Sequence, residues 1–561
     1  MEPTVAANRR LPLAALCAAI VYLSLFWQLG AHTFWDPDEA HYAQTTSEMR
    51  ASGDWLAPFY NGQPFYDKPI FFHWLQGAAM TLGGATEGPA RLPGAIAGAL
   101  LVLMTGWVGT RLAGGAVGWV SAIVLAVNPG LFGLARYAIL DAPFTLCLFG
   151  GVSCLTLAAG IGAPRAAPSS VRSTTATEWA GYLLLAAAVC IKGPVALALC
   201  ATALAVATVP FAEARQRLFS LHWILGVLLI VGLAGPWFAY MLWRFRGSFV
   251  DGYVLNENLR LFSASMYANQ PPPWFYVQIL VVGFLPWTGL ILGRAFDQLR
   301  GRFNGNSRPD MADVMLWSWV GAITTFFSLS TFKLDHYIFP AVPALSILTA
   351  RAWLDAQNGE GGKGTRVGAA LVGPTLVLAG GVVGYLALTR LDLPMSFLAV
   401  PAFIALCGVG TMWQARARKG LVPVFTVSAL MALYVGVVAF VLPALERGKV
   451  VPDLARWVQS HASEGDRVGT FRLNRWNPAF RFYVARPVEM IDSDADARRF
   501  LSDTTPFYFV TTEELFNILH GAGAPIEEAY RRDGVWATSG KLLWRAKGQP
   551  TVFIVARRVT R

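Results

Sequence analysis

The sequence predicts a polytopic α-helical membrane protein with about thirteen transmembrane helices and a C-terminal soluble α/β domain. Three observations carry this. Apolar residues make up 55% of the 561 and charged residues only 14%, and the mean hydropathy is +0.46, too oily for a soluble protein of this size. Apolar stretches of membrane-crossing length recur through residues 1–445, and the composition turns soluble over 446–561.

The first apolar run, 11–29, follows Arg9 and Arg10. It is too long for a signal-peptide core and lacks a small-residue cleavage site, so it reads as a retained span with its N-terminus inside. Crossing ~30 Å of hydrocarbon takes roughly 17–25 apolar residues. Further candidate spans lie at 90–112, 116–134, 142–159, 179–191, 195–211, 221–242, 274–292, 311–329, 337–353, 367–388, 394–413 and 421–442. The stretch 70–84 is ambiguous, and parity decides it. Lying flat on the outer surface, it leaves Arg111, Arg165, Arg172, Arg215, Arg217, Arg294, Arg300, Arg302, Arg308, Arg351, Lys363, Arg366, Arg416, Arg418 and Lys419 all inside. Counted as a span, it would invert every later loop against the positive-inside rule. The C-terminus is therefore expected outside.

The net charge of +11 is explained by this topology and by anionic lipid, not by nucleic acid. Cys17, Cys147, Cys154, Cys190, Cys200 and Cys407 all sit in apolar stretches, so neither a disulfide framework nor a thiolate metal site is indicated. Over the last roughly 110 residues, an ordinary domain size, helices are expected at 451–461, 495–502 and 513–520. Strands are expected at 467–473, 480–491, 507–511, 535–546 and 551–557.

The same topology gathers five polar clusters on the outer side: 35–68, 136–141, 192–194, 256–260 and 333–337, with outer-face loop helices at about 36–84 and 250–262. A helix opened by Pro37 would put Asp38 one turn from His41 and Tyr42. Asp36, Asp38, Glu39 and Asp141 could bind a divalent metal, or hold and deprotonate a nucleophile. Lys68, Arg136, Lys192, Arg260 and Lys333 offer cations for a phosphate. Carboxylates facing cations suit transfer from a phosphate-linked donor, with the cations stabilising the departing phosphate.

Trp35-Asp36-Pro37-Asp38-Glu39-Ala40-His41-Tyr42-Ala43, Phe65-Tyr66-Asp67-Lys68-Pro69, Arg91-Leu92-Pro93, Arg136-Tyr137-Ala138-Ile139-Leu140-Asp141, Lys192-Gly193-Pro194 and Lys333-Leu334-Asp335-His336-Tyr337-Ile338-Phe339-Pro340 resemble the motifs of the bacterial aminoarabinose transferases. These form a branch of the protein O-mannosyltransferase-like family, which has the GT-C membrane glycosyltransferase fold. The resemblance covers most of the membrane part. It implies a donor of 4-amino-4-deoxy-L-arabinose on undecaprenyl phosphate, a lipid A phosphate as acceptor, and a role in polymyxin resistance at the periplasmic face of the inner membrane. Carried over, Asp38 is the main catalytic carboxylate with Glu39 beside it and Asp141 as the second acid. Lys68 and Arg260 hold the donor phosphate and Tyr337 lines the site. Asp36, Tyr42, Asp67, Arg136, Lys192, Lys333 and His336 complete the candidate set. Asp67 stands where relatives commonly carry Glu, and Asp335-His336 replaces a more usual Pro-Thr pair. A divalent metal of open identity could bind, with Asp38, Glu39, Asp141 and His336 as its candidate ligands. The expected partners are the lipid-linked sugar, lipid A and membrane lipids, with no nucleic acid and a monomeric chain. Two other readings stand beside this one: a GT-C transferase with another polyprenyl-linked sugar or a protein hydroxyl acceptor, and a lipid-linked sugar flippase.

Overall fold

The computed structural model describes residues 3–559, apart from 162–170, 209–211, 265–269, 304–309, 392, 419, 421, 474–477 and 537–550. Each apolar stretch named above carries helix. Among the described residues, eight helices are long and apolar enough to cross a membrane, and ten if each of two bent pairs is one span. Pro12–Phe26 and Val195–Thr208 are shorter apolar helices, and Val171–Lys192 supplies the remaining stretch. Both bends fall at proline, which has no N–H to give to a helix. Gly115–Ala126 and Pro129–Ala135 meet at 59°, and Phe275–Gly283 and Thr288–Gly301, which flank Pro286, meet at 115°. The expected positions Arg165, Arg308 and Lys419 lie outside the described residues.

The ambiguous stretch forms a separate helix, Phe71–Gly83, of 13 residues. At 1.5 Å per residue that is about 20 Å, too short to cross the bilayer. At the ends of the helices away from the polar loops, Arg294 pairs with Asp313 at 2.6 Å and Asp355 at 2.5 Å, while Arg351 pairs with Asp310 and with Asp313. Arg294 and Arg351, expected on one side of the membrane, thus share one acidic partner, Asp313. The interior between the spans is filled by apolar side chains, with Trp287, Trp353, Phe144 and Phe339 almost wholly buried.

On the other side a two-residue hairpin, β1 (Phe59–Tyr60) and β2 (Gln63–Pro64), leads to Lys68. The C-terminal part holds a sheet of β3 (Arg467–Phe471), β4 (Glu489–Ile491), β5 (Phe507–Thr512), β6 (Ile526–Gly534) and β7 (Thr551–Arg558) in the order β4-β3-β5-β7-β6. The helices Val451–His461, Asp494–Ser502 and Glu513–Gly521 fall where the sequence places them. The expected strand 480–491 is corrected: Pro478–Val484 is helical and only Glu489–Ile491 is strand. The cause is that β3 and β4 run parallel, and parallel neighbours need a crossover. Strand β6 was not expected. Its Glu-Glu-Ala-Tyr-Arg-Arg-Asp run hides the apolar alternation, as charged side chains do on an exposed sheet edge. Most of the strand expected at 535–546 lies outside the described residues.

This sheet region is bound to the segment that enters the polar loops. The Phe34 N–H donates to the Tyr483 hydroxyl (2.7 Å), and the Ala479 N–H donates to Asp36 Oδ1 (2.9 Å). Arg481 Nε bonds Glu48 at 2.9 Å. Lys449 Nζ donates to the Thr33 carbonyl (2.9 Å) and lies 4.0 Å from the centre of the Trp35 ring.

Candidate active site

The helix Asp38–Ser52 starts directly after Pro37, and the His41 N–H donates to the Pro37 carbonyl at 2.9 Å. Its first two residues part company. Glu39 turns into the protein, fully buried, where Arg91 donates from Nε (2.6 Å) and Nη2 (3.0 Å). The Trp35 and Ala138 N–H groups, each at 3.0 Å, complete its shell. Arg91 spends its other donors on the carbonyls of Leu29, His32 and Thr33. Both charges are paired and hydrogen-bonded, which is how a buried ion pair is tolerated. Glu39 therefore braces the site and presents no free oxygen to a substrate.

Asp38 is half-buried and faces the other way. Burial raises its carboxyl above the usual value; His336 and Lys68 pull it back, while Asp141 and Asp335 push it further up. Asp141 begins the helix Asp141–Ala158 and accepts from Lys192 Nζ at 2.8 Å. That ammonium also lies 4.5 Å from the Tyr337 ring centre, a cation–π distance. On the opposite side of Asp141, His336 Nε2 is 3.8 Å from Oδ2, and its Nδ1 is 3.3 Å from Asp335.

Lys68 and Lys192 reach a cavity of about 370 Å³, whose lining includes Tyr337, Tyr253, Phe262 and Phe326. Lys68 Nζ bonds Glu257 at 3.0 Å and the Asp67 carbonyl at 2.8 Å. Burial alone would depress Lys68, but Glu257, Tyr42 and Asp67 more than offset it and hold the amine protonated, above its ordinary value. The cavity thus sets Lys68 and Lys192, together with Asp67 and Glu257, beside aromatic and aliphatic walls, a lining that suits a phosphate on a lipid. Tyr42 stands behind Lys68, its ring edge-on to Phe65 and Phe72.

Several expected residues are not gathered here. Arg260 is exposed and bonds Asn256 Oδ1 at 2.7 Å, so it does not line the cavity. Lys333 Nζ caps the Ser330 carbonyl. Arg136 donates to the carbonyls of Ser24 and Gln28, where the first apolar helix ends, the partners such chain ends favour. Asp36 serves the contact with Ala479. The four candidate metal ligands do not converge, because Glu39 is spent on Arg91 and Asp141 on Lys192. Among the described residues no group of three or more His, Cys, Asp or Glu side chains could hold a metal ion. Glu257 and Arg91 are the site residues the sequence reading missed. Glu257 lies within a cluster already placed on the outer face, Asn256-Glu257-Asn258, and a carboxylate opposite Lys68 was the available signal.

This cavity yields a direct expectation. Replacing Lys68 by Ala should lower turnover by roughly tenfold or more, and Lys68→Arg should impair it too, since a planar fork does not reproduce an ammonium point charge. Unchanged transfer by purified Lys68→Ala would remove Lys68 from the site.

Comparison with known proteins fits this geometry. The chain is 29% identical over 360 residues to the undecaprenyl phosphate-alpha-4-amino-4-deoxy-L-arabinose arabinosyl transferase of Edwardsiella ictaluri, covering 62% of this chain and 61% of that one. It is 29% identical over 351 residues to the protein of the same name from Yersinia enterocolitica, covering 62% and 59%. The match thus spans about three fifths of the length of these curated relatives. Among solved structures, ArnT from Cupriavidus metallidurans bound to undecaprenyl phosphate superposes with TM-score 0.74 at 23% identity over 98% of both chains. The archaeal oligosaccharyltransferase AglB from Archaeoglobus fulgidus superposes with TM-score 0.54 at 12% identity, covering 91% of this chain and 70% of that one. The fold is that of the GT-C membrane glycosyltransferases. Residues 13–296, half of the chain, match the family described as dolichyl-phosphate-mannose-protein mannosyltransferase, and the chain belongs to that family.

Proposed function

We propose that this protein is a multi-pass glycosyltransferase of the bacterial inner membrane. It moves 4-amino-4-deoxy-L-arabinose from undecaprenyl phosphate to a phosphate of lipid A, with its site and C-terminal domain on the periplasmic face and its N-terminus in the cytoplasm. The observation that carries the reading is the cavity that sets Lys68 and Lys192 at the head of an apolar wall, beside Asp38 and Asp141. The names of the curated relatives support the sugar and the donor.

In this mechanism an acceptor phosphate oxygen attacks the anomeric carbon while the bond from that carbon to the donor phosphate oxygen breaks. The electron pair leaves with undecaprenyl phosphate, and the sugar ends on the acceptor phosphate. Lys68 and Lys192 stabilise the leaving phosphate, and the carboxylates of Asp38 and Asp141 flank the positive charge developing on the sugar. The acceptor is anionic near neutral pH, so Asp38 acts by charge and position more than as a base. Glu39 is a positioning residue for Asp38.

Mass spectrometry of lipid A from cells with and without the protein tests the reading. The expected result is aminoarabinose on lipid A phosphate only in cells that carry it, with raised polymyxin resistance. Unmodified lipid A together with a newly glycosylated protein would overturn it.

A further inference from the structure

The helix ends away from the polar loops carry two kinds of arginine. Arg294 and Arg351 are matched by Asp310, Asp313 and Asp355. Arg366, Arg416 and Arg418 are not. Among the described residues none of the three has an acidic partner, and their one side-chain hydrogen bond is a 3.4 Å contact from Arg366 Nε to the Gly362 carbonyl at the start of its own helix.

These three unmatched charges line one cavity of about 310 Å³, within the range of small-ligand pockets, about 300–1,000 Å³. It lies between the helices Lys363–Thr389 and Ala399–Ala417, with Ala356 from the end of Val342–Asn358 at its side. The first two run antiparallel, Gly373 facing Gly408 and Met412 while Gly380 faces Pro401 and Ala405, so Arg366 and Arg416 fall at the same end. Below them the wall is apolar, with Ala369, Pro374 and Met412. Eight residues separate Arg366 from Pro374, roughly 12 Å along a helix. Among the described residues no carboxylate lines the cavity.

Arg418 reaches the rim by a turn that few side chains adopt. It closes the helix Ala399–Ala417 at φ 49°, in the left-handed conformation that helix ends ordinarily give to glycine. Its guanidinium lies over the end of the third helix, where a Cβ on Gly359 would stand 2.8 Å from Nη1. The bare glycine leaves room for that cation.

We infer that this cavity holds an anionic glycerophospholipid, its phosphate among Arg366, Arg416 and Arg418 and the first part of an acyl chain along Ala369, Pro374 and Met412. Guanidinium groups suit phosphate because they present paired N–H donors, and basic pockets between membrane helices are where anionic headgroups are held. Arginines that only set topology have no need of a common cavity with an apolar wall. A free phosphate would leave that wall uncovered, and a zwitterionic lipid would bring its own ammonium against three like charges. The site stands at the helix ends away from Lys68 and Lys192, and does not depend on the proposed transfer.

Delipidated, monodisperse full-length protein in detergent would be titrated with dioleoyl phosphatidylglycerol, with phosphatidylethanolamine of the same chains and with inorganic phosphate, and the bound lipid counted by native mass spectrometry. Phosphatidylglycerol should be retained and phosphatidylethanolamine should not. Arg366→Gln, Arg416→Gln and Arg418→Gln should each weaken retention about fivefold. Arg300→Gln removes the same charge from an exposed position outside the cavity, and should leave retention unchanged. Wild type alone should bind the lipid more weakly as the ionic strength rises from about 0.05 M to about 0.5 M, a result that needs no variant to fold. Equal retention of the two lipids, no salt dependence, unchanged binding in all three cavity variants, an equal loss in Arg300→Gln, or retention of inorganic phosphate in place of the lipid would each overturn the inference.

Discussion

Asp38→Asn should abolish or severely lower sugar transfer, by roughly 10²–10³-fold, the loss typical when a group aimed at transition-state charge is removed. The amide keeps the size of the side chain and can still stand at a helix N-terminus, so insertion and melting temperature should match wild type. It cannot offer a negative charge to a developing positive sugar. Asp36→Asn is the neighbouring control. Burial pushes the Asp36 carboxyl up to about 7, so near neutral pH it is only about half ionised, and an amide can still accept from the Ala479 N–H; activity should change little. The measurement is transfer to lipid A by equal amounts of monodisperse detergent-purified protein. Near-normal turnover by Asp38→Asn would return that residue to a purely structural role.

The largest effect on stability should come from Arg91→Leu. Arg91 and Glu39 are almost without exposure, and removing one partner of such a pair leaves the other charge buried and unpaired, a loss of about 3–5 kcal/mol. Arg91→Leu should therefore melt well below wild type and lose activity, because Arg91 also holds the carbonyls of Leu29, His32 and Thr33. Combining it with Glu39→Leu should recover part of the melting temperature, since no lone charge remains. A double variant no more stable than Arg91→Leu would mean that the carbonyl contacts, not the ion pair, hold this corner.

The part of the site legible in the sequence was which residues share a face. The parity expected from the arginine-rich loops puts Asp141 and Lys192, 51 residues apart, on one face, and in the structure they pair. What the sequence could not settle was direction around a helix. Asp38 and Glu39 are neighbours, yet about 100° of rotation sends one toward His336 and the other to Arg91, 52 residues on. Nor could it rank the cations. Lys68 is held at the cavity by Glu257, 189 residues away, whereas Arg136 is taken up by the distant carbonyls of Ser24 and Gln28 and Lys333 by the neighbouring Ser330 carbonyl. In the soluble part the apolar β7 was plain, but the charged edge strand β6 was hidden by its own side chains.

The contacts that anchor residues 33–36 also have an order in time. Thr33, Phe34 and Asp36 meet Lys449, Tyr483 and Ala479 across separations of 416, 449 and 443 residues. In a chain made from its N-terminus, the segment that leads into Asp38 is among the first to emerge and its partners among the last. Through most of synthesis that entry segment has none of these anchors, and the approach to the helix Asp38–Ser52 is secured only when the last part of the polypeptide has folded against it.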